Sequence, residues 1–220
     1  MRTKLFLFCG VIAGPLFSIF WFILGATRAN YNPIKHPISS LAIGNFGWTQ
    51  QINFIILGLL LLTFAIGLIR LLRANNTSIW GPLFIVVIAI GFLGAGVFVA
   101  DPLNGYPPGT PVKGPVPRSI HGVLHDLFSA FFFFGLPTAC FIFARYFRKW
   151  QQLKWRIYSV VTGISFLVMF VFTSIGFAQE TNLATIAGLL QRITVTNGLT
   201  WLTLLGIYLL KAPSEILKNE

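Results

Sequence analysis

Acid is nearly missing from this chain. Of 220 residues, five are Asp or Glu, three are His and two are Cys, and charged residues together make up 10%. A water-soluble chain of this length could not hide the apolar surface that such a composition leaves, so the bilayer must serve as solvent. Two cysteines, Cys9 and Cys140, both toward the cytoplasmic halves of their segments, provide no extracytoplasmic disulfide framework and read as small buried apolar residues. There is no phosphate-binding loop, dinucleotide fingerprint or nucleophile elbow. Internal repeats are absent, and the middles of the apolar segments offer mainly hydroxyls and amides, which argues against an ion-coupled carrier.

Hydrophobic residues fill 55% of the chain, 23 of them Phe, and the mean hydropathy is +0.79. Six continuous apolar runs are long enough to cross a membrane as helices: roughly 5–27, 51–72, 79–100, 122–144, 157–178 and 189–210. Their continuity predicts helices rather than alternating barrel strands. The expected fold is an all-α polytopic membrane protein, a six-transmembrane-helix bundle forming one domain over 1–220. The first run is too long for a signal-peptide core and is expected to stay as an uncleaved span.

The net charge of +11 does not imply nucleic acid, because its distribution follows topology. With the N-terminus cytoplasmic, 11 Lys and Arg lie on the inner side and 5 on the outer, Arg28, Lys35, Lys113, Arg118 and Arg192. Both termini of a multi-pass membrane protein are therefore expected in the cytoplasm. The basic stretch Arg145–Arg156 reads as a topogenic loop with Trp150 and Trp155 at the interface.

The unusual sequence is in the outer connections. Loop one, Arg28–Gln50, carries Tyr31 and then His36-Pro37-Ile38-Ser39-Ser40-Leu41, where Pro37 suits the first position of a short helix running to Leu41–Ile43. Loop three, Asp101–Arg118, holds six of the twelve prolines and three glycines, a composition that suits a stiff cover and equally an ordinary exposed loop. Gly10 and Gly14, and Gly91, Gly94 and Gly96 thinning one side of the third helix, predict close helix packing. Phe131–Phe134 read as core bulk or lipid-facing surface.

All three histidines, and every acid outside the C-terminal tail, fall at the outer face: His36, Asp101, His121, His125, Asp126 and Glu180. Ionisable groups beside hydrocarbon are costly, which makes the cluster a candidate site. His121 and His125, four residues apart, share a helix face, about 40° apart in azimuth and about 6 Å in height. With His36 they would give three imidazoles to one divalent ion, zinc above all, leaving an open position for catalysis. Asp101, expected to cap the outer end of the third helix, would orient or deprotonate a bound water, and Ser39 would hold a polar head. Asp126 points about 100° from His125, and Glu180 and Arg192 suit a mutual pair. The same residues equally suit a hydrogen-bond network that fixes loops to helix ends, and both readings stand.

His36-Pro37-Ile38-Ser39-Ser40-Leu41, Asn53-Phe54, the Val97-Phe98-x-x-Asp101-Pro102 corner and His121-Gly122-x-x-His125 together resemble an uncharacterised prokaryotic membrane family, domain of unknown function 998. The resemblance covers nearly the whole chain and implies six spans. His36, Ser39, Asp101, His121 and His125 match its pattern, whereas Ser40 stands where an acid or other polar group is common. A looser likeness, to alkaline-ceramidase-like membrane hydrolases, rests on a loop histidine near serine, an aspartate and a later His-x-x-x-His; those proteins have seven spans and place the pair in the last. Two functions are thus expected: a metal-dependent hydrolase of a lipid or lipid-linked substrate, or a non-enzymatic scaffold, sensor or accessory subunit whose His/Asp cluster is structural.

Overall fold

The computed structural model describes residues 2–112, 117–179 and 181–211. Six helices carry the chain: α1 Arg2–Thr27, α2 Gly47–Ala74, α3 Trp80–Val97, α4 Ile120–Lys149, α5 Leu153–Phe177 and α6 Ala187–Lys211. All six are long and apolar enough to cross a bilayer. A helix satisfies its own backbone polar groups, so apolar runs of this length have no other open solution in hydrocarbon.

Consecutive helices pack against each other, and α1 closes the ring against α6. Small residues set the approach distances. A Cβ on Gly10 would lie 2.5 Å from the Phe64 ring of α2, and one on Gly94 would lie 2.1 Å from Phe128 of α4. The α3 glycines thin two sides rather than one: Gly91 and Gly94 face α4, whereas Gly96 meets Gln51 and Ile55 of α2. Exposed Phe22, Ile23, Val161 and Val171 cover the outside, as a lipid-facing surface requires. Of the Phe131–Phe134 run, Phe132 is buried and Phe134 exposed, so the run serves both core and surface.

The helix ends differ from the sequence expectation. α4 continues to Lys149 and α5 begins at Leu153, so most of the basic stretch is helical and only a tight turn separates the two. Trp150 folds inward, buried against Tyr146 and Phe147. At the opposite face the short helix expected after Pro37 is a 3-10 turn, Ile38–Ala42, with Pro37 as its N-cap. A second 3-10 turn, Asn182–Thr185, leads into α6.

α3 stops at Val97, three residues earlier than the apolar run suggests. Phe98 is extended and the chain turns toward α4, so Asp101 does not cap α3. Its carboxylate instead accepts from the Ser119 N–H at 3.0 Å and from Ser119 Oγ at 2.6 Å. Ser119 is the N-cap of α4, its own Oγ accepting from the Gly122 N–H at 2.9 Å. A carboxylate belongs at a helix N-terminus, where the dipole favours negative charge, and not at the C-terminal end of α3. Gly122 leaves the room: a Cβ there would sit 2.0 Å from Asp101 Oδ2.

Candidate functional site

Loop one is tied to the start of α6. The Leu189 N–H, one of the unpaired donors of the α6 first turn, reaches the Ile34 carbonyl at 2.9 Å. Arg192, one turn later, is buried, and its guanidinium donates to the His36 carbonyl at 3.0 Å and to the Gly188 carbonyl at 2.9 Å. It also donates to the Tyr31 hydroxyl, which in turn donates to the Pro37 carbonyl at 3.0 Å. The cation lies over the Trp21 ring at 5.1 Å and the Tyr31 ring at 5.6 Å. No carboxylate pairs with it among the described residues. Glu180, its expected partner, lies outside the described residues. Aromatic faces and loop carbonyls stabilise the charge.

His36 belongs to this brace. Its Nδ1 accepts from the Asn32 N–H at 3.0 Å, and the side chain makes a backbone hydrogen bond to Asn104. The ring packs between Tyr31 and Tyr106, at centroid distances of 5.5 and 5.2 Å. Asn104 ties loop three down further, donating to the Lys35 and Ala184 carbonyls at 3.0 Å each. Burial holds the His36 imidazole below its ordinary pKa, and neighbouring Lys35 pushes the same way; the Asn104 bond opposes both, and Arg192 adds a smaller lowering. A neutral folded-state ring binds fewer protons than the unfolded chain just below pH about 6.5, so stability is full above that value and falls as the pH drops toward the folded-state pKa. Melting in detergent from pH 7.5 to 5 is expected to show this loss, and His36→Asn to reduce it. An unchanged slope in the variant would rule out His36 as its source.

His121 and His125 share a face as expected, and both meet Phe98 at the exit of α3. The exposed His121 packs edge-on to the Phe98 ring at 5.7 Å. His125 is buried, with Nδ1 2.8 Å from the Phe98 carbonyl, so Nδ1 carries the proton and donates. Among the described residues no group of three or more His, Cys, Asp or Glu side chains converges where it could hold a metal ion. The structure does not bring His36, His121 and His125 together: the first is committed to loop one, the other two to the α3 corner.

What does unite the sequence motifs is a cavity of 660 Å³ at the outer end of the ring. All six helices contribute to it. Its deep wall is apolar, with Phe17, Phe54, Phe92, Phe132, Phe170 and Val195, and its outer wall carries Ser39, Asp101, Arg118, His125, Asp126, Gln179 and Gln191. Arg118 Nη2 lies 2.5 Å from Asp126 Oδ2, and its Nε lies 3.8 Å from Asp101 Oδ2. Asp126, given less weight than Asp101 on its azimuth, is thus exposed and ion-paired at the mouth. Ser39 is half-buried on the wall, whereas Ser40 is fully buried and its hydroxyl has no partner among the described residues.

Sequence reasoning missed Gln179, Gln191 and the bracing role of Arg192. A cluster Gln191-Arg192 one turn into an otherwise apolar helix was the available signal. A family model described as "Protein of unknown function (DUF998)" matches residues 11–208. The chain belongs to this family. No curated protein and no solved structure matches it. The resemblance seen in the motifs is therefore to this DUF998 family, while the likeness to ceramidase-type hydrolases gains no support.

Proposed function

We propose that this membrane protein binds a lipid or lipid-linked molecule in the outer-face cavity, in the plasma membrane of a prokaryotic cell. One observation carries the reading: residues from three separated motifs, Ser39, Asp101 and His125, border a single cavity whose depth is lined with phenylalanine. An apolar pocket of 300–1,000 Å³ with a few convergent polar groups is the usual form of a small-molecule site. Polar groups at one end and hydrocarbon walls at the other suit an amphiphile, head outward and chain inward. The test is lipid content after purification in detergent. The native protein should retain a stoichiometric amphiphile, and Ser129→Phe, which fills the cavity from α4, should reduce it about tenfold or more. Equal content in both, with matched melting points, would end the proposal.

A metal-dependent hydrolase is the second reading, favoured by one feature. The Nδ1 of His125 is held by a backbone carbonyl, the outer bond that commonly orients a ligating imidazole. On that reading His125 and His121 would bind a divalent ion, zinc first, with Asp101 and Ser39 serving water and substrate. His36 would join only by giving up its Asn32 bond. Zinc per protein decides: one ion lost in both His121→Ala and His125→Ala supports it, and none in the native protein sinks it. The scaffold reading draws support from the loop-one brace, where His36 and Arg192 are consumed by structural bonds.

A further inference from the structure

The head chemistry of the ligand can be read from the cavity wall. Gln179 is 8% exposed, and its side-chain Nε2 is buried with no partner among the described residues. Leaving a buried amide donor unpaired is costly, so a group that accepts from it is wanted. Gln191 supplies a second donor: its Oε1 already accepts from the Ile38 N–H at 2.8 Å, leaving its amide nitrogen for the cavity. His125 supplies the complement. With Nδ1–H given to Phe98, its Nε2 keeps a lone pair and can only accept.

Charge narrows the class further. Arg118 is the one cation on the cavity wall among the described residues, and it is bracketed by Asp101 and Asp126. Two carboxylates against one guanidinium leave the wall negative among the described residues, which disfavours a phosphate or carboxylate head there. α4 and α5 together form one side of the cavity. Phe133 and Phe170 stack at 4.5 Å, but outward of that contact Asp126 and Ser129 on α4, with Ser174 and Phe177 on α5, line the cavity. Asp126 and Ser174 are also exposed. Ser174 makes no demand there, its hydroxyl being bonded back to the Phe170 carbonyl at 2.9 Å.

We propose that the cavity takes an uncharged amphiphile, its head pairing a hydroxyl or N–H donor with His125 Nε2 and a carbonyl-type acceptor with Gln179 Nε2. This rests on the amphiphile-binding reading above and specifies its ligand class. Two photoreactive probes of equal chain length test it, a diazirine-bearing monoacylglycerol and the matching monoacylglycerol phosphate, added to the full chain in mixed micelles. The uncharged probe should label peptides containing Phe133 and Phe170 and bind about tenfold or more tighter than the phosphate. Gln179→Asn, which keeps a residue tolerant of the φ of 65° found here, should weaken the uncharged probe about fivefold, as should His125→Phe. Asp126→Asn, at an exposed site, should narrow the preference about threefold by freeing Arg118. A phosphate probe that binds as tightly or tighter, or a Gln179→Asn protein that melts normally with unchanged affinity, overturns the head-group assignment alone. If neither probe labels the cavity peptides, the amphiphile-binding reading falls with it.

Discussion

Arg192→Ala is expected to destabilise the protein by about 3 kcal/mol, because charged hydrogen bonds to buried partners are lost and a cavity opens. The guanidinium holds the His36 carbonyl and the Tyr31 hydroxyl at once, and Tyr31 holds the Pro37 carbonyl. Removing it leaves the Tyr31 oxygen without a donor and the His36 carbonyl with only the Tyr31 hydroxyl at 3.3 Å, and lets loop one lift from α6. Burying the cation also costs free energy, which offsets part of the loss, but its contact with Trp21 and Tyr31 recovers some of that. Arg192→Lys keeps the charge but not the planar fork, so one nitrogen cannot serve both distant partners. It should fall between the two. Denaturant unfolding in detergent micelles measures the series, and equal stability of all three proteins would refute the brace. Because Pro37, Ile38 and Ser39 form part of the cavity wall, ligand retention should fall with stability.

The spans were legible in the sequence because hydrocarbon allows a continuous apolar run few alternatives to a helix. Their ends were less so. α4 outlasts its apolar run to Lys149 because a helix does not stop where the oil stops, and Trp150 follows it inward. The outer-face site was legible as a place, since topology alone put His36, Asp101 and His125 at one level. Its bonds were not. A loop histidine bonded to the Asn32 N–H has the same sequence signature as one waiting for a metal. Asp101 lies between the end of one helix and the start of the next, and only the sign of the helix dipole favoured the latter. Gln179 and Gln191 drew no attention because amides do not titrate, although an unpaired amide in a dry wall is as informative as a charge.

Gly188→Ala should likewise destabilise, by about 2–3 kcal/mol, although alanine is the better helix former by about 1 kcal/mol. The position is the second of α6, and loop one lies directly on it. A Cβ there would stand 2.4 Å from the His36 carbonyl oxygen, 2.8 Å from that of Pro33 and 2.9 Å from the His36 nitrogen. These are backbone atoms, so no side-chain rotation relieves the clash. Loop one must rise, stretching the Leu189 N–H bond to Ile34 and the Arg192 bond to His36. The same shift would move Ile38 away from Gln191 and deform the cavity wall, so bound amphiphile should be lost with the stability. Thr196→Ala, at an exposed position of the same helix, is the control, expected to stay within about 0.5 kcal/mol of the native protein. The opposite sign for Gly188→Ala, a gain from helix propensity alone, would mean that loop one does not rest on α6 as described.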